Sequence, residues 1–174
     1  MKRVSLFQSS PSYLTVFFFL LLFVFIAFGS ALNNEFLSWD DASFVSANRM
    51  IQSFDSERLF QMATSFHTGN WYPITWFSHA LDYRLFGSNP AGHHLTSILW
   101  HGVNIFLVFV LFQRLLSLAK VDFYSADLFW AGIAAALLFG LHPLRVESVV
   151  WVSQRKDLLC AFFVLAGYLA YLSY

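Results

Sequence analysis

The chain has 174 residues, of which 58% are hydrophobic, 20% aromatic and 11% charged. Soluble domains carry about 25% charged residues, so this composition excludes an ordinary water-soluble globule. Ten basic residues balance ten acidic ones, leaving no field to attract nucleic acid, and the one cysteine, Cys160, excludes an intramolecular disulfide framework or a multi-cysteine metal site.

The pattern predicts an all-α polytopic membrane protein. It has about four transmembrane helices, with short amphipathic surface helices in the first outer loop. Residues 1–12 form a cytoplasmic N-terminus and 13–32 the first span. That uncharged stretch, at about 1.5 Å per residue, crosses a hydrocarbon core of roughly 30 Å. A cleaved signal peptide competes with this reading, since Gly29-Ser30-Ala31 offers a small-residue site. The length of the run and the later spans favour a retained helix.

Residues 33–94 form an outer loop, too long for a turn and too aromatic for a disordered linker. Phe44, Ala47, Ile51 and Phe54 recur at helical spacing, as do Leu59, Met62 and Phe66. Pro73 opens a helix whose stripe is Phe77, Ala80, Leu81 and Leu85, and the Gly- and Pro-bearing run 87–92 breaks it. These stripes predict helices lying on the membrane surface; a small water-soluble subdomain is the alternative. The second span is 95–116, followed by a cytoplasmic loop at 117–126. The third is 127–142, which is short, and 143–157 form a second outer segment. The fourth span, 158–174, has no polar flank after it and looks truncated.

Charge alone leaves the orientation open. With the N-terminus inside, Lys2, Arg3, Arg114 and Lys120 are inner, while Arg49, Arg58, Arg84, Arg145, Arg155 and Lys156 are outer. That count favours inversion. Against it, the first helix usually dominates, and it has Lys2 and Arg3 before it and Glu35, Asp40 and Asp41 after it. Outer cations at 145–156 then become candidates for holding an anion.

Two polar groups carry candidate chemistry. Asp40 and Asp41 follow the first span. Adjacent carboxylates repel each other and lose hydration near a low-dielectric boundary, which suits a general base. They also suit an N-cap for a helix starting at Ala42, and the two roles are compatible. The second group is His142, Arg145, Glu147 and Ser148, then Arg155, Lys156 and Asp157. Ionisable groups at membrane depth usually face a cavity. Arg155 and Lys156 are placed to clamp a phosphate, or simply to snorkel at a helix end. The six histidines show no ligand spacing, so no metal is expected. No Gly-rich phosphate loop or nucleophile elbow is present.

Several motifs recur in one order: Trp39-Asp40-Asp41; Phe66-His67, then Gly69-Asn70-Trp71-Tyr72-Pro73; Leu81-Asp82-Tyr83; Asn89-Pro90-Ala91-Gly92-His93-His94; Leu141-His142-Pro143-Leu144, then Val146-Glu147-Ser148; and Arg155-Lys156-Asp157. Together they resemble the N-terminal membrane part of bacterial relatives of the TMTC family. Those are transmembrane O-mannosyltransferases of the GT-C class that carry tetratricopeptide repeats. The resemblance implies a multi-pass enzyme of the bacterial inner membrane that moves a sugar, mannose in the eukaryotic precedent, from a polyprenyl-phosphate to an acceptor hydroxyl on the outer face. The acceptor is a protein in that precedent. It implies Asp40 or Asp41 as the base, Arg155 and Lys156 for the donor phosphate, and His142, Arg145, Glu147 and Asp157 around the pocket. The lipid-linked sugar is substrate, and no cofactor is implied. GT-C enzymes have more spans, so the chain corresponds to their front part and is expected to be inactive alone. The rival reading is a non-catalytic membrane module or remnant of such an enzyme.

Overall fold

The computed structural model describes residues 11–119 and 125–174. Expectations that rest on Lys2, Arg3 and Lys120 lie outside the described residues. Every regular element described is helical.

Helix α1 is Tyr13–Phe28. Ser12 caps it, its hydroxyl accepting the Thr15 N–H at 3.1 Å, and it runs on as a 3-10 segment, Gly29–Asn33. The continuous apolar stretch is 21 residues, enough to cross a bilayer. Helix α4, Pro90–Leu118, has 29 residues, and helix α7, Arg155–Ser173, follows a 3-10 turn to give an apolar run of 22. These three helices are long and apolar enough to span, so the chain is a multi-pass membrane protein. A fourth span arises if α5, Ser125–Gly140, counts together with Pro143–Val150, which bends away from it by 54°. The expected third span therefore ends early. His142 is extended, as a residue before proline prefers to be, and the helix stops before it. Helix α6, Val146–Val150, completes the broken segment.

Helix α4 is the axis against which α1, α3 (Pro73–Phe86), α5 and α7 pack. It starts five residues before the expected 95 because Asn89 caps it (its side chain accepts the Ala91 N–H at 3.1 Å) and Pro90 takes the first turn, where no N–H is needed. Gly87 makes the break itself, with φ of 62°, a left-handed conformation that glycine adopts without strain. One side of α4 buries His93, Ser97, His101 and Asn104. Polar groups at membrane depth need partners. His101 Nε2 donates to the Gly140 carbonyl at 2.9 Å, and Asn104 donates to the Leu158 carbonyl at 2.8 Å. Gly140 ends α5, where helix carbonyls lack intrahelical partners, so α4 supplies what the helix end lacks. Gly140 also lets the helices approach: a Cβ there would collide with Ile105.

The first loop is a packed subdomain rather than a set of separate surface helices. It contains a π-helical turn, Ala42–Ser46, then α2, Ser56–Thr64, and α3, Pro73–Phe86. Phe44, Val45, Met50, Ile51, Met62, Trp76 and Ala80 form its core with Val152. Full burial of side chains such as Ile51 and Met62 contributes roughly 1.5–3 kcal/mol each. The predicted stripes hold in part. Phe44, Ile51, Met62 and Ala80 are buried, but Ala47 is exposed and Phe66 is 73% exposed, because α2 stops at Thr64. Leu81 and Leu85 also face outward. Helix α3 turns Thr75, Trp76, His79, Ala80 and Asp82 inward instead.

Candidate functional site

The turn bearing Asp40 and Asp41 docks against the corner that starts α7. Asp41 is 1% exposed; its Oδ2 accepts the Leu37 N–H and its Oδ1 the Ser153 N–H, both at 2.9 Å. It sits where an N-cap would for Ala42–Ser46, yet its side chain makes no capping bond. It ties the first loop to the segment 143–157 instead. Both carboxylate oxygens are committed to backbone donors, so Asp41 is poorly placed as a base. Asp40 is different. It is half-buried, its backbone carbonyl accepts the Ser43 hydroxyl at 2.8 Å, and its carboxylate accepts no hydrogen bond among the described residues.

Arg155 and Lys156 head α7, at the positive end of the helix dipole, where cations need compensation. Arg155, expected to clamp a phosphate, is fully buried instead. It donates to the Asp82 carboxylate, to the His93 carbonyl at 2.6 Å, and to the Ser78 and Ser97 hydroxyls at 3.3 and 3.4 Å. A guanidinium so engaged is a structural cation. Lys156 is half-buried. Its Nζ lies 5.3 Å from the Phe44 ring centroid and 5.8 Å from that of Tyr72, and it donates to the Ser153 carbonyl at 3.4 Å. Ring faces attract a cation without neutralising it. Among the described residues no carboxylate pairs with Lys156. Ser153 thus touches Asp41 through its N–H and Lys156 through its carbonyl, which brings the two predicted groups to one junction.

Residues 143–157 divide. His142 is exposed, and its Nδ1 accepts the Leu144 N–H at 3.3 Å. Arg145 lies over the Phe139 ring at 4.3 Å. Asp157 is exposed and accepts the Ser148 hydroxyl at 3.2 Å. Of these expected pocket residues, Glu147 lines an open cleft of about 620 Å³. Asn33, Asn34, Glu35, His94 and Trp151 line it as well. Asp40, Asp41, Arg155 and Lys156 do not line this cleft. Glu35, His94 and Asp82 were missed as site residues. The histidine pair was visible in the sequence, and Asp82 stood in one of the resembling motifs but off the apolar stripe of its helix.

His79, Asp82 and His93 bring their ligand atoms within 4.8 Å of one another, an arrangement the sequence spacing did not reveal. His93 Nε2 donates to the Gly87 carbonyl at 3.1 Å, which leaves Nδ1 facing Asp82 at 3.5 Å. Arg155 already holds that carboxylate and opposes a second cation beside it, so we read the cluster as a polar node. Burial, then the Arg155 charge, pushes His79 well below the ordinary histidine value and keeps it neutral.

No family model matches the chain, and no solved structure does. Curated relatives do. The human protein O-mannosyl-transferase TMTC4 is 36% identical over 104 residues, 57% of this chain and 14% of the relative. The Drosophila melanogaster protein O-mannosyl-transferase Tmtc2 is 37% identical over 105 residues, 60% of this chain and 10% of the relative. The Caenorhabditis elegans protein O-mannosyl-transferase F38B6.6 is 27% identical over 150 residues, 82% of this chain and 21% of the relative. The matched stretch thus spans about a fifth or less of these proteins. Over that stretch the chain is related to the TMTC protein O-mannosyl-transferases.

Proposed function

We propose that the chain is the front part of a GT-C-type membrane glycosyltransferase. It carries a sugar from a polyprenyl-phosphate donor to an acceptor hydroxyl, a protein hydroxyl by analogy with the relatives' names. The N-terminus is inside, and residues 33–94 and 143–157 face out, on the periplasmic side of a bacterial inner membrane. The observation that carries the reading is the Ser153 junction. There Asp41, next in sequence to Asp40, holds the Ser153 N–H, and the Ser153 carbonyl holds Lys156 at a helix N-terminus; among the described residues neither the Asp40 carboxylate nor Lys156 has an ion-pair partner. The departing phosphate gains negative charge, which a lysine and a helix N-terminus stabilise. The attacking hydroxyl needs a base as the new bond forms. Asp40 takes that role, Lys156 the phosphate, and Asp41 and Arg155 hold the frame.

Commitment of Asp41 and Arg155 to structure favours the second reading, a non-catalytic module, and one experiment separates the two. Asp40→Asn and Lys156→Gln are assayed in the full-length protein with polyprenyl-phosphate mannose, with expression and fold checked. Loss of the base should slow transfer by roughly 10²–10⁴. Parental rates in both variants would reject the assignment.

A further inference from the structure

We infer that α3 is seated in the bilayer interface: its outward face, Ile74, Leu81 and Leu85, lies against acyl chains, and Arg84 beside it meets anionic lipid headgroups. A helix on a water-facing surface turns apolar residues inward and polar ones outward. Helix α3 does the reverse. Its five buried residues include Thr75, His79 and Asp82, whereas Ile74, Leu81 and Leu85 are 49%, 53% and 64% exposed. At 3.6 residues per turn those three fall within about 40° of one another, on the side opposite the buried face.

The inner face fixes the depth at which this stripe sits. Asp82 accepts the Thr96 hydroxyl at 2.8 Å and the Arg155 guanidinium. Thr96 is in the second turn of α4 and Arg155 is the first residue of α7, so α3 is clamped level with the ends of two spans. With 29 residues α4 is roughly 43 Å long, more than a hydrocarbon core of roughly 30 Å, so turns at its ends reach into the interfacial region. Leu81 and Leu85 stand beside Asp82 along the helix and face out at that level. The chemistry of the stripe selects lipid over another helix. Helices that pack within a membrane meet through small residues, and those of α3 turn away from the stripe. Thr75 and Ala80 are buried, and the Ser78 hydroxyl accepts from Arg155 at 3.3 Å. Arg84 is the one exposed charged residue of α3, its guanidinium lies 5.7 Å from the Phe54 ring centroid, and among the described residues no carboxylate pairs with it. A cation flanking an apolar stripe is how interfacial helices attract anionic lipid. The inference needs only a membrane-embedded chain, whichever side residues 33–94 face, and does not rest on the proposed reaction.

Spin labelling of the full chain in nanodiscs of phosphatidylcholine and phosphatidylglycerol tests the placement. In a Cys160→Ser background a nitroxide is attached at Leu81→Cys or at Leu85→Cys. Its relaxation by oxygen, which concentrates among acyl chains, is compared with its relaxation by a water-soluble nickel chelate. The oxygen-to-nickel ratio at both positions should stand several-fold above that at Glu57→Cys, exposed on α2, as should the ratio at Phe163→Cys, exposed on the α7 span. Ile74→Cys, on the same stripe, serves where a label at 81 or 85 prevents reconstitution. A ratio no higher than that of Glu57→Cys would place the stripe in water. Weak relaxation by both agents would place it under a second copy or another protein. Either result overturns the inference, and neither bears on the Asp40 assay, which reads sugar transfer.

Discussion

Asp82→Ala removes the carboxylate facing Arg155 and leaves the guanidinium buried among neutral acceptors: the His93 carbonyl at 2.6 Å and the two serine hydroxyls at 3.3 and 3.4 Å. Thr96 loses its 2.8 Å acceptor but keeps the Gly92 carbonyl at 3.3 Å, so it adds little. The dominant cost is the uncompensated charge, since Arg155 is 0% and Asp82 2% exposed. Breaking such a buried pair costs about 3–5 kcal/mol, a factor of roughly 10²–10⁴ in the folded-to-unfolded ratio. Unfolding of the purified chain by titrating SDS into mixed micelles, followed by tryptophan fluorescence, measures it. Replacing the pair together, Asp82→Leu with Arg155→Met, should recover most of the loss, because two apolar side chains carry no desolvation penalty. A single variant within about 1 kcal/mol of the parent, or a double variant no better than the single, would refute the argument.

Gly140→Ala should destabilise by about 1–3 kcal/mol through its collision with Ile105, and Ile105→Ala should relieve much of that in the double variant; additive losses would refute the contact. His79 stays neutral in the fold while the unfolded chain takes up a proton there below about pH 6.5, so acidification removes up to about 1.4 kcal/mol per pH unit. His79→Phe should flatten that loss, and equal slopes for parent and variant would refute it. For topology, in a Cys160→Ser background an impermeant thiol reagent added to intact cells should label a cysteine at Ser56 and spare one at Ser5; the reverse pattern rejects the proposed orientation.

The spans were legible because lipid imposes a simple rule. An uncharged run such as 13–32 has few alternatives, and Pro73 marked a helix start that the structure keeps, whereas Pro90, read as part of a break, opens α4. The inside of the first loop was not legible. Periodicity assigns apolar residues to the buried face, yet α3 turns Asp82 and His79 inward because Arg155 waits there, 73 positions further on. Asp41 was misread for the same reason. A local cap is visible from neighbouring residues, whereas a bond to the Ser153 N–H is set by tertiary docking. Of the predicted site, Asp40 and Lys156 keep their candidacy and Glu147 lines the cleft. Arg155 does not remain available, since a sequence cannot distinguish a guanidinium aimed at a ligand from one aimed at a distant carboxylate.

The bond between Asp41 and Ser153 joins residues 112 apart, which has a consequence for synthesis. At about 5–20 residues per second, a ribosome needs roughly 6–22 s to make the intervening chain. During that interval the first loop is already made while Asp82 has no guanidinium and Asp41 lacks one of its two donors. Closure of the loop therefore waits until the corner carrying Ser153 and Arg155 arrives. A chain halted before that corner would leave the Asp41 and Asp82 carboxylates without these partners.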